Sequence, residues 1–280
     1  SEALGQMCYL VPSASGIFGA DSPNFNFSNA GIGGYAATNG TCYGVDDKST
    51  KIVYFSPNFA GFSFAASFTP DNTEDSRNTD VNGGGAATRF NNNTGENSEN
   101  LSVAANFSHD FNGVNLVVGG GGTWSFDREV QGFTILAGTP PVPTFVPNNV
   151  DERREYNAYA QVGFSGFTIG GAYSLRQNTD VGGADQQVFG FGGTYNFDAW
   201  TVGLGYTHAT YEHGVTKTFG SVFPDTIAHS NIYSLTASYA LGPGIQIDGV
   251  AEYYDYQGDE GPVQNDFSGF ALGLGTLISF

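Results

Sequence analysis

The sequence is short of cations, of sulfur and of long apolar runs, and each shortage excludes a class of protein. Nine Lys and Arg stand against 27 Asp and Glu among 280 residues, a net charge of −18. A chain so poor in cations cannot neutralise phosphates, which excludes nucleic acid as a partner. Only two cysteines occur, Cys8 and Cys42, too few for a disulfide-built miniature fold and wrongly spaced for a zinc site. No stretch approaches the roughly 18–20 apolar residues that a membrane helix needs. No secretory signal heads the chain, which begins at Ser1 as a mature form or a fragment would. What is abundant is glycine (41), phenylalanine (24) and tyrosine (15). Hydrophobic residues make up 40 % of the chain while its mean hydropathy is −0.19, so apolar and polar residues must be interleaved.

The interleaving has a period of two, the signature of strands with a different environment on each face. Counting back from the end, Phe280, Ile278, Thr276, Leu274, Leu272 and Phe270 alternate with Ser279, Leu277, Gly275, Gly273, Ala271 and Gly269. Trp200, Val202, Leu204 and Tyr206 alternate with Thr201, Gly203, Gly205 and Thr207, and Ile245, Ile247, Ala251 and Tyr253 with Gln246, Asp248 and Glu252. The same pattern fills Tyr156–Phe164, Phe167–Arg176, Phe189–Phe197 and Tyr233–Tyr239. None of the apolar sets contains a charge. That fits a face against hydrocarbon, where Arg or Lys at mid-depth costs roughly 2–4 kcal/mol. The opposite face carries Gly, Ser, Thr, Asn and Gln, as the wall of a water-filled lumen does. A soluble sandwich carries many Lys and Glu on its outer face.

Connections alternate strictly between short and long. Short turns fall at 58–61, 110–113, 165–166, 198–199 and 241–244, and long polar loops around 70–100, 128–153, 177–185, 213–230 and 257–265. Outer-membrane barrels keep short turns on the periplasmic side and long loops outside. Phe111, Phe164, Phe197, Trp200 and Tyr239 lie near the short turns, and Trp124, Phe126, Tyr156, Tyr206 and Tyr253 near the long loops. Two aromatic belts at two interfaces are expected. The stretch 132–150, with Pro140, Pro141, Pro143 and Pro147, is expected to be an extended loop rather than a strand.

The segment Lys51-Ile-Val-Tyr-Phe-Ser-Pro-Asn-Phe-Ala-Gly-Phe-Ser-Phe64 resembles the Tyr-x-Ser-Pro-x-Phe-x-Gly-Phe hairpin of the Gram-negative general porins, particularly the alphaproteobacterial, Rhodobacter-like group. The ending Leu277-Ile-Ser-Phe280 resembles the assembly signal of outer-membrane barrels, with Phe280 read by the barrel-assembly machinery. The resemblance covers residues 45–280. It implies an all-β transmembrane antiparallel barrel in the outer membrane, a homotrimer embedded in lipid, and passive diffusion of small hydrophilic solutes and ions. It also implies about sixteen strands per barrel and a pore narrowed by an inward-folded third loop. About eleven strands can be counted here, the first at Lys51–Ser56, so the chain is expected to begin inside that loop with about five strands absent. Residues 1–50 are accordingly expected to be the constriction loop and residues 51–280 the barrel wall. A twelve-stranded closed barrel is the competing arrangement, but its best extra strand, Asn24–Ser28, is too short.

Pore residues expected from charge and parity are Asp21, Asp46 and Asp47 in the constriction loop, with Lys51, Glu155, Arg176, Asp248 and Glu252 on the wall. Their balance predicts weak cation selectivity. Cys8 and Cys42 are expected to form a disulfide, since paired thiols facing an oxidising compartment oxidise. Asp71, Glu74 and Asp75 are a calcium candidate through hard oxygen ligands, set against the simpler reading of a solvated acidic loop. His208 and His213 have opposite strand parity and do not share a metal. The glycines at 119–122 precede no helix and hold no phosphate; they mark a strand section where another chain or a loop packs closely. No serine, histidine and aspartate set stands out, so no catalytic residue is assigned and no cofactor is expected. The rivals are a substrate-specific channel and an outer-membrane enzyme or adhesin. An aromatic track or basic ladder would mark the first, and the inward set offers only Tyr159, Tyr211, Tyr254 and Arg176.

Overall fold

A computed structural model describes residues 12–14, 51–71, 97–136, 142–149, 152–177, 185–213, 217–218, 221–222, 226–260, 263–264 and 266–279. Its strands are β1 (Ile52–Phe55), β2 (Phe62–Asp71), β3 (Asn97–Phe111), β4 (Val114–Leu136), β5 (Val142–Asn149), β6 (Arg154–Phe164), β7 (Phe167–Gln177), β8 (Gln186–Phe197), β9 (Trp200–His213), β10 (Lys217–Thr218), β11 (Ser221–Val222), β12 (Thr226–Gly242), β13 (Ile245–Glu260), β14 (Val263–Gln264) and β15 (Phe267–Ile278). Eleven of them form one antiparallel wall in the order β1-β2-β3-β4-β6-β7-β8-β9-β12-β13-β15. The remaining four are hairpin extensions: β5 on β4, β14 on β13, and the β10–β11 ribbon. Among the described residues, β1 pairs only with β2 and β15 only with β13, so each has one open edge.

Local chemistry explains the short side of the wall. Ala60 and Gly61, Asn112 and Gly113, and Ser165 and Gly166 all take positive φ in consecutive pairs. This is the geometry of two-residue turns whose twist matches that of the flanking strands. Asp110 fixes the second turn by accepting the Gly113 N–H at 2.8 Å, and Asn58 does the same for Gly61.

Register then decides which face each side chain meets. Ser234 pairs with Gly205 on one side and Glu252 on the other, while its neighbour Leu235 pairs with Leu204 and Ala251. Polar residues thus collect on one face of the wall and large apolar residues mostly on the other, with Val117, Tyr159, Val188 and Val250 as apolar exceptions on the polar face. The apolar face is the exposed one: Leu204 is 66 % exposed, and Phe270, Leu272 and Leu274 on β15 reach 80–82 %. The polar face is the buried one, with Thr69, Ser102, Thr123, Thr207, Asp248 and Glu252 among its least accessible residues. This inside-out order is stable only where the outer surface meets hydrocarbon. The aromatic belts are in place, with Phe167–Tyr195 at 4.3 Å and Trp200–Tyr239 at 4.7 Å by the short turns. By the long loops, Tyr206–Tyr233 and Tyr253–Phe270 both lie at 4.9 Å.

The expectation for the proline-rich stretch is corrected. Residues 142–149 form β5, paired with β4 from Glu129↔Asn149 to Leu136↔Val142. Pro143 and Pro147 share parity, so both missing N–H groups fall on one edge of β5, the arrangement in which prolines on an edge strand need cost no ladder bond. Strand β4 therefore runs on to Leu136, well past the expected loop start at Arg128.

Candidate functional site

The polar face of the wall is the candidate site, and two charged groups stand on it. Glu155 on β6 sits opposite Arg176 on β7, with Arg176 Nε 3.8 Å from Glu155 Oε1. Arg153 reaches the same oxygen at 2.5 Å through Nη2, and Arg176 donates from Nη1 to Gln186 Oε1 at 2.9 Å. One carboxylate thus stands between two guanidinium groups, leaving a locally positive wall. Asp248 and Glu252 on β13 form the second group, 0 % and 2 % exposed. Asp248 Oδ1 accepts from Gln246 Nε2 at 2.6 Å, whereas its Oδ2 and Glu252 Oε1 have no partner among the described residues. Their cross-strand neighbours are small, Ser238 and Gly275 for Asp248, Ser234 and Ala271 for Glu252. Lys51 precedes β1 with the parity of the inner residues Val53 and Phe55.

Tyrosines shape the same face. The Tyr159 ring lies over Gly119 and the Tyr254 ring over Gly269, each on its cross-strand glycine. With Val117 and Ala172, Tyr159 forms a small buried apolar cluster on the inner face. Among the described residues it is side-chain rings rather than a loop that approach the glycines of β4: Tyr159 of the neighbouring β6 at Gly119, and Trp124 together with Tyr156 at Gly122.

Residues 12–14 also reach this face. The Ala14 N–H donates to Thr236 Oγ1 at 3.0 Å, and the Ser13 hydroxyl approaches the same oxygen at 3.5 Å. Gly203 makes room, since a Cβ there would lie 2.9 Å from the Ala14 nitrogen and 2.8 Å from Thr236 Oγ1.

Glu155, Arg176, Asp248 and Glu252 are all buried on the polar face. Asp21, Asp46, Asp47, Cys8, Cys42, Glu74, Asp75 and Phe280 lie outside the described residues, and Asp71 ends β2. No group of three His, Cys, Asp or Glu suited to a metal ion occurs among the described residues. His208, unmatched with His213, instead meets His229 of β12 on the outward face, their rings stacked 5.8 Å apart. Sequence reading missed that pair, because only the β9–β12 register reveals it.

An antiparallel wall with a polar inner and an apolar outer surface defines the class of transmembrane β-barrel proteins. A family model for Gram-negative porins matches residues 5–259, and the chain belongs to that family, proteins of the bacterial outer membrane. Chitoporin from Vibrio furnissii is 37 % identical over 106 residues, a match covering 36 % of this chain and 26 % of that protein. Among solved structures, a loop L8 deletion mutant of OmpT, an outer membrane protein of Vibrio cholerae, is similar with a TM-score of 0.51 and 14 % identity. That likeness covers 99 % of this chain and 73 % of the other. The anion-selective porin from Comamonas acidovorans is similar with a TM-score of 0.50 and 14 % identity, covering 82 % of this chain and 59 % of that one. At such identity these likenesses bear on the fold alone. This chain spans about a quarter of the chitoporin's length in its match.

Proposed function

We propose that this chain walls a water-filled pore for passive diffusion of small hydrophilic solutes and ions, without catalysis. The carrying observation is the inner face itself: small hydroxylic and amide residues beside a few separated charges, with no catalytic set among the described residues. Solutes are sorted by size at a constriction and by the field of the wall charges. Residues 1–50, with Asp21, Asp46 and Asp47, supply the constriction in this reading, and the Ala14 bond to Thr236 supports that position. The open edges of β1 and β15 are joined by further strands, toward about sixteen in all, and three such pores assemble as a trimer. The Lys51–Phe64 hairpin supports a place in the Rhodobacter-like group.

Weak cation preference follows from Asp248 and Glu252 on the wall and from the net charge of −18, opposed locally by Arg153 and Arg176. This sets the chain apart from the anion-selective porin that shares its fold. Selective sugar uptake, as the name chitoporin suggests for that relative, needs an exposed aromatic track. Of the inner tyrosines, Tyr159 and Tyr256 are buried against the wall and only Tyr211 and Tyr254 are half-buried, too few for such a track. Planar-bilayer recordings test the proposal. Large ohmic steps in multiples of three, with a reversal potential favouring cations, are expected; a silent membrane or anion preference would overturn it.

A further inference from the structure

The long-loop end of the polar face holds a patch whose hydrogen-bonding capacity the wall itself does not use. Glu155 near the start of β6 and Arg176 near the end of β7 stand there, where solutes arrive from outside. Thr123 on β4 is the cross-strand partner of Glu155, and Ser174 on β7 lies diagonally from it, opposite Asn157. Thr123, Glu155, Ser174 and Arg176 are all buried. Among the described residues, Thr123 Oγ1, Glu155 Oε2 and Ser174 Oγ have no hydrogen-bond partner. Burying such an atom unpaired is costly and rare. Three of them side by side call for a polar guest.

The chemistry of the patch narrows that guest. Arg153 and Arg176 approach the other carboxylate oxygen, Glu155 Oε1, at 2.5 and 3.8 Å, and two guanidinium groups repel a simple cation. A simple anion meets Glu155 Oε2, an oxygen that can only accept. A neutral polyol can bond the hydroxyls but gains nothing from the opposed charges. A molecule carrying both charges uses every part. In an α-amino acid the ammonium nitrogen lies about 2.7–3.6 Å from the carboxylate oxygens. The opposed charges of the wall are 3.8 Å apart, from Arg176 Nε to Glu155 Oε1, so the two dipoles match in length when they lie antiparallel. The span agrees as well. Strands β4 and β7 flank β6, which sets Thr123 and Ser174 two strand spacings apart, about 10 Å. That is the reach of an α-amino acid with one hydrogen bond of about 2.8 Å at each end.

We propose that this patch is a subsite for α-amino acid zwitterions at the outer mouth of the pore, a proposal that rests on the channel reading above. The ammonium donates to Glu155 Oε2 and Thr123 Oγ1. The carboxylate accepts from the Ser174 hydroxyl and lies against the Arg176 guanidinium. Amino acids are thereby held at the mouth before they pass, and their entry saturates where that of other small solutes does not.

The test follows entry of labelled solutes into proteoliposomes carrying the full chain. The probes are L-alanine, L-alaninamide without the carboxylate, propionate without the ammonium, and glycerol without either charge. L-Alanine entry is expected to saturate, with half-saturation about tenfold or more below that of any other probe, the worth of one charge-assisted hydrogen bond. This comparison needs no variant. Thr123→Val and Ser174→Ala should each raise the half-saturating concentration several-fold, and Glu155→Gln should raise it about tenfold. Heat-shifted electrophoretic migration checks that each variant is folded. L-Alanine entry that rises linearly while glycerol passes freely overturns the subsite and leaves the channel standing. Exclusion of every probe overturns the channel and the subsite with it. Saturation by glycerol or propionate at the same concentration as L-alanine overturns the choice of zwitterion. Saturation that none of the three variants alters overturns its location.

Discussion

Ala14 donates its backbone N–H to the side chain of Thr236, joining two parts of the chain that are 222 positions apart in sequence. Thr236 in turn reaches the Gly203 carbonyl at 3.4 Å, so one hydroxyl links β9, β12 and the segment lying on them. Such a bond is worth about 0.5–1.5 kcal/mol net, and more is lost if a buried donor is left unmade.

Thr236→Val keeps the shape and removes the acceptor, and Gly203→Ala places a methyl against the Ala14 nitrogen. Both should loosen the segment on the pore face, with the alanine variant the stronger. Single-channel recordings should show raised conductance and added open-channel noise. Recordings indistinguishable from the parent for both variants would remove residues 12–14 from the pore.

Glu155 separates Arg153 from Arg176. Glu155→Gln should leave two guanidinium groups without their shared carboxylate and shift the zero-current potential in a salt gradient toward anions. Arg176→Gln should shift it the other way, as the carboxylates of β13 then dominate. Equal shifts of one sign from both variants would show that these charges act through structure rather than through the pore field.

Leu204 and Thr236 lie on opposite faces of the same wall. Leu204→Arg should destabilise the protein by roughly 2–4 kcal/mol, as expected for a cation at mid-depth in lipid. Val202→Thr should cost much less, because a hydroxyl can return its bond to the backbone. Urea titration of protein refolded in lipid vesicles measures both. A tolerated arginine at 204 would put that residue in water rather than in lipid.

Tyr159 rests on Gly119, and any side chain at 119 must lift the ring. Gly119→Val should cost about 1–3 kcal/mol by overpacking and narrow the lumen at once. Lowered thermal stability together with reduced conductance is the expected signature. Reduced stability at full conductance would place the displaced ring away from the water path.

The wall was readable because a period of two survives in its long strands between Phe62 and Ile278, and two-residue turns such as Asn112–Gly113 punctuate it. What hid from sequence reading was anything set by register or by an edge. Pro143 and Pro147 argue against a strand only while all its N–H groups are assumed to bond; a strand paired on one side needs only half of them, and β5 forms. His208 could be compared with His213 by parity alone, but its meeting with His229 depends on the pairing register of β9 with β12. Arg153 lies one residue before β6, where alternation says nothing, and only its approach to Glu155 shows its role.

Because each strand serves two solvents on alternate residues, a slip of a single residue in pairing would be ruinous. Asp248 and Glu252 would enter oil and Ile247 and Ala251 would line water. The glycine-seated rings and the two-residue turns therefore act as proofreading marks for assembly. A mispaired strand announces itself at once, by tyrosines with nowhere to lie and carboxylates that cannot enter the bilayer. Insertion into the membrane becomes the checkpoint that only the correctly aligned wall can pass.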